Sequence, residues 1–108
     1  MHLPGDNQQL SEQFRLAALE WVKLDAAARL LEETKSTQLA QRVKALGDMP
    51  VTSAERDVKA TAEWEADIRN MVEARTKANK AKVQLKWIEM RFSEQQSFEA
   101  SKRAEMRL

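Results

Sequence analysis

Residues 52–108 read TSAERDVKATAEWEADIRNMVEARTKANKAKVQLKWIEMRFSEQQSFEASKRAEMRL, with no proline, glycine or cysteine. So long a run without a breaker, rich in Ala, Glu, Lys, Arg and Gln, predicts one helix over 52–107, on the order of 80 Å at 1.5 Å rise per residue. Trp64, Ile68, Met71, Ala78, Leu85 and Phe92 form its apolar seam, with Ala74 and Ala81 beside it. Arg75 and Lys82 interrupt that seam if a strict heptad is imposed. Between Val83 and Phe92 apolar residues nearly alternate with Gln84, Lys86, Glu89 and Arg91, which is close to a strand pattern. The helix is preferred, because no turn residue bounds the run and an isolated strand would leave its backbone unsatisfied. Ser93 and Gln96 have the spacing of a second helix start, whereas the absence of Gly and Pro favours continuity.

Upstream, residues 1–9 with Pro4 and Gly5 read as a loose arm, and a first helix follows over 10–46, started by Asp6 with Gln9 or by Ser11. Leu10, Phe14, Ala17, Trp21, Leu24, Ala28 and Leu31 step by four and three, the seam of a helix packed lengthwise on another. Leu39, Val43 and Leu46 resume it after a polar gap at 35–38, a stutter that predicts local unwinding. Leu16, Leu19, Val22 and Leu30 widen the apolar face and suggest more than one neighbour. Gly47 suits a left-handed C-cap and Pro50 a stop, so 47–51 is the turn. Thr52 with Glu55 has capping-box spacing for the second helix. Folding about this turn places Leu31 opposite Ile68, Ala28 opposite Met71, Trp21 opposite Ala74 and Ala78, and Phe14 opposite Leu85. The first helix is then exhausted near Ile88, leaving 93–108 to overhang. The expected fold is all-α, a single domain made of a long, coiled-coil-like antiparallel helical hairpin, completed into a helical bundle by self-association.

With 108 residues there is room for one modest core. The 43% hydrophobic and 32% charged content, Gly 2 and Pro 2 suit a few long helices. Cys 0 excludes disulfides, thiolate metal sites and cysteine nucleophiles. The start lacks the apolar core of a signal peptide, and no apolar run is long enough to span a bilayer, so a cytoplasmic protein is expected, with no membrane contact. His2 is the sole histidine and lies in the arm, which excludes a histidine-centred triad or a multi-histidine metal site. No glycine-rich loop is present to hold a nucleotide phosphate. No two acids share the apolar seam, where a shifted pKa would be expected. The expectation is therefore a protein that is not an enzyme, with no cofactor and no metal.

Two stretches remain as candidate interaction sites. At about 100° per residue, Ala81, Leu85, Ile88 and Phe92 share one helix face while Val83, Trp87 and Met90 lie on the other. A helix apolar on both sides is normally covered on both, and one hairpin covers one. Val83, Trp87, Met90, Phe92 and Phe98 are thus the expected interface residues, of a homo-oligomer with a dimer favoured, or of a protein partner. A third element packed on the Trp87 face is the plainer explanation. From Arg75 to Lys86 the chain has Arg75, Lys77, Lys80, Lys82 and Lys86 and no acid. Such a run can follow a phosphate backbone with Trp87 stacking on a base, or it can be a solvated helix surface. The net charge of +1 gives no bulk attraction to nucleic acid.

From Arg75-Thr76-Lys77-Ala78-Asn79-Lys80 through Arg91-Phe92 to Ser101-Lys102-Arg103-Ala104-Glu105-Met106-Arg107-Leu108, the C-terminal third resembles the end of small helical proteins encoded by bacteriophages and prophages. The resemblance implies an accessory role in phage DNA replication or recombination and transfers no catalytic residue. Three functions follow as expectations. They are a non-enzymatic scaffold, a nucleic-acid-binding accessory protein, and a small inhibitor of a host enzyme.

Overall fold

The computed structural model describes residues 7–107 as an all-α chain with no strand among them. Four helices follow in order: α1 (Asn7–Glu33), α2 (Lys35–Ala45), α3 (Val51–Lys59) and α4 (Ala62–Met106). The fold class is the expected antiparallel helical hairpin, but each of its two arms is divided. The arm and the start near residue 10 fall partly outside the described residues, and within them α1 already begins at Asn7.

The first division falls at Thr34, just before the polar gap. Its φ of −92° and ψ of 3° leave the helical basin. The amide ladder nonetheless crosses it, Thr34 N–H donating to Leu30 C=O at 3.0 Å and Gln38 N–H to Thr34 C=O at 2.9 Å. The Thr34 hydroxyl also donates to Leu30 C=O, at 2.7 Å. Such back-bonding by Ser or Thr competes for the carbonyl and bends helices.

The turn is built as Gly47 and Pro50 require. Gly47 has φ 83°, the left-handed region where a Cβ is strained, and its N–H donates to Lys44 C=O at 3.2 Å. Pro50 is the N-cap of α3, whose first bond runs from Ala54 N–H to Pro50 C=O at 2.9 Å. Thr52 therefore lies inside the helix, and the expected capping box with Glu55 does not form. The working cap is Thr61. Its hydroxyl oxygen accepts from Trp64 N–H at 3.2 Å and donates to Val58 C=O at 2.6 Å, closing α3 and opening α4. Glu63 and Glu65 then sit in the first turn of α4, where the helix dipole favours carboxylates. The helix predicted over 52–107 is thus two helices, and α3 packs back on α2.

The chain divides into two compact units, the described parts of Met1–Lys23 with Asn79–Leu108 and, separately, Leu24–Ala78. In the Leu24–Ala78 unit, Ala28, Ala54, Val58, Trp64 and Ala78 are buried. Ala28 and Ala78 are both 0% exposed, which requires α1 and α4 to approach closely enough to cover a methyl group. Arg42 of α2 pairs with Asp67 of α4 at 2.8 Å. Arg75 bridges to α1 twice, donating from Nη1 to Asp25 Oδ1 at 2.7 Å and from Nη2 and Nε to the two Glu32 oxygens at 2.7 and 2.9 Å.

In the other unit Leu10 and Ile88 are buried, and α1 runs antiparallel to α4. Phe14 shares a cleft with Glu89 and Phe92, and Lys82 Nζ stands 5.9 Å from the centre of the Trp21 ring. These pairings lie about five residues further along α4 than a single unbroken second helix predicts. α4 itself continues without interruption through Ser93 to Met106, and 100–107 are exposed throughout.

Along α4 the covered side chains include Trp64, Asp67, Met71, Ala74, Ala78, Ala81, Leu85, Ile88, Phe92, Gln95 and Glu99, an unbroken three-four alternation, with Ile68, Arg75 and Arg91 partly covered beside it. Ala74 and Ala81 belong to this seam. Arg75 and Lys82 flank it rather than interrupting it.

Candidate interaction surface

The side of α4 opposite this seam carries the candidate surface. Val83, Trp87 and Met90 fall within about 60° of one another around the helix and are 67%, 50% and 59% exposed. Arg91, one turn beyond Trp87, lays its guanidinium 4.9 Å from the centre of the Trp87 ring. This contact covers part of the indole with a cation that itself carries apolar methylenes. Phe98 continues the outer side, exposed. Phe92 stands apart from these four. It is half-buried in the inner seam and, with Phe14, Ser11, Glu89 and Ser93, lines a cleft of about 360 Å³.

α1 repeats the arrangement. Leu10, Ala17, Trp21, Leu24 and Ala28 turn inward, while Leu16, Leu19 and Val22 lie on the reverse side and are all more than half exposed. Leu16, Leu19 and Val22 belong to the same compact unit as Val83, Trp87 and Met90. The sequence pattern showed these α1 residues as a widening of the seam. The structure makes them a second, outward face.

The basic run is not gathered into one stripe. Arg75 is committed to Asp25 and Glu32, and Lys82 to the Trp21 ring. Around α4, Lys77 lies on one side of the outer stripe and Arg75, Lys82 and Lys86 on the other, while Lys80 continues the stripe itself toward the N-terminus. Lys77, Lys80 and Lys86 are exposed and make no ion pair among the described residues.

Comparison with protein-family models, curated proteins and solved structures finds no match to this chain. No group of three or more His, Asp or Glu among the described residues is arranged to hold a metal ion. No helix among them is long and apolar enough to cross a membrane. A second cleft, of about 500 Å³, is lined by Lys35, Ser36, Leu39, Lys59, Trp64 and Ile68 in the Leu24–Ala78 unit and is open to solvent.

Proposed function

We propose that this is a non-enzymatic helical interaction protein of the cytoplasm that self-associates through the outer face of α4 and acts as a scaffold or adaptor. The observation that carries the reading is the exposed Val83, Trp87 and Met90 stripe, placed opposite a seam that the hairpin already covers. An apolar strip centred on Trp and Met and bordered by Lys and Arg has the composition of an interface core with its polar rim. The outward Leu16, Leu19 and Val22 face of α1 then serves a further protein partner, which is what an adaptor needs. The resemblance of the C-terminal third to small phage-encoded proteins supports an accessory role among phage genes.

Light scattering after size exclusion tests the reading at low and high salt, with the 260 to 280 nm absorbance ratio followed on the main peak. A dimer or higher species with a protein-like ratio is expected, and Trp87→Glu should convert it to a monomer of unchanged helicity. A wild-type chain that is cooperatively folded and monomeric at high micromolar concentration would overturn self-association. A peak carrying nucleic acid that salt removes would replace this reading with one based on Lys77, Lys80 and Lys86.

A further inference from the structure

The outer stripe of α4 has a polarity along the helix that bears on how two copies would meet. Its apolar centre, Val83, Trp87 and Met90, is bounded on the N-terminal side by Lys80 and on the C-terminal side by Glu94. Lys80, Val83, Trp87, Met90 and Glu94 continue one three-four alternation, so all five lie along a single contact line. Both end residues are exposed and make no ion pair among the described residues. They stand seven residues, two helical turns, to either side of Trp87.

Resting on the self-association reading, we infer that α4 pairs with α4 of a second copy in antiparallel orientation, with the two-fold axis near Trp87 and Lys80 of each copy meeting Glu94 of the other. A parallel, in-register pair would set Lys80 against Lys80 and Glu94 against Glu94 beside the same apolar centre. Like charges at that position are repelled, whereas the antiparallel pair satisfies all four. The isologous contact also closes on itself, since every residue of the stripe meets the same stripe on the other copy.

Charge reversal and one distance test this. Lys80→Glu and Glu94→Lys should each weaken the dimer roughly tenfold at low salt, because each creates two repulsive contacts per dimer. The double reversal should restore wild-type affinity. The chain has no cysteine, so Lys102→Cys with a nitroxide label gives one site per copy. Antiparallel pairing about Trp87 puts the two labels about 45 Å apart at 1.5 Å per residue, and parallel pairing about 10–20 Å. A dimer with the short distance, or one in which the double variant is as weak as the singles, overturns the antiparallel arrangement while leaving self-association intact. A monomeric wild-type chain overturns the self-association on which it rests.

Discussion

Arg75 holds two carboxylates of α1 at once, and its position shows how a charged residue is accommodated beside an apolar seam. Its planar fork meets Glu32 with two parallel bonds and leaves the remaining nitrogen for Asp25, a geometry lysine does not reproduce. The hydrogen bonds from Arg75 hold the Glu32 carboxyl below its usual pKa. A carboxyl whose folded pKa lies below its unfolded value near 4.3 contributes stability that is present above that value and is lost as pH falls through the folded one. Thermal melts followed by circular dichroism from pH 7 down to pH 3 should therefore show a fall in midpoint below about pH 4 that is shallower in Glu32→Gln. The nearby alanine pair makes a different demand. Ala78 is fully buried, so Ala78→Leu forces bulk between α1 and α4 and should cost about 1–3 kcal/mol in urea unfolding. At this scale the sequence was legible where the helix period alone decides, as for Trp87 and Ile88 on opposite sides of α4. The partners of Arg75 were not, because they depend on a register that no local pattern supplies.

Within each arm, at Thr34 and Thr61, side chains rather than breakers divide the helices, whereas Gly47 and Pro50 make the turn between the arms. Reading 52–107 as one helix relied on the absence of Gly and Pro, yet Thr61 divides it by bonding both ways, to Val58 behind and Trp64 ahead. The signal was present: Thr61 precedes Glu63 and Glu65, a hydroxyl cap followed by acids in the first turn. The Thr52–Glu55 spacing does not make a cap, because Pro50 already occupies that place. Thr61→Ala should cost about 1 kcal/mol in chemical denaturation. Amide exchange should then quicken around 60–64 before it does in the centre of α4. At Thr34 the polar gap and the stutter did locate a disturbance, and the hydroxyl bond to Leu30 C=O shows how it is made. The near-strand alternation of Val83 to Phe92 resolves into two faces of one helix, which is what a period of 3.6 makes of residues placed on both sides.

For the chain as a whole, fold class followed from composition and periodicity, while the division into two compact units did not. A hairpin of this size has a thin core, with seven apolar residues buried among the described residues, and small domains of that kind keep little stability in reserve. Under the proposed self-association, burial of the outer α4 face links assembly to stability. The melting midpoint should accordingly rise with protein concentration in the wild type and become independent of concentration in Trp87→Glu. Under the proposed pairing the outward face of α1 remains available to another molecule, so a change such as Leu19→Glu should leave the dimer intact and affect partner capture alone.

The three tryptophans of this chain occupy three different surroundings. Trp64 is buried at 6% exposure, Trp21 lies beneath an ammonium group, and Trp87 is half exposed under a guanidinium. The molecule thus carries its own optical reporters, Trp64 for unfolding and Trp87 for association under the proposed pairing. Emission from Trp64 should follow the loosening of the Leu24–Ala78 unit, and under the proposed pairing emission from Trp87 should shift to longer wavelength as copies separate on dilution. Single Trp→Phe replacements would let unfolding and dissociation be timed separately, without a dye attached anywhere on the chain.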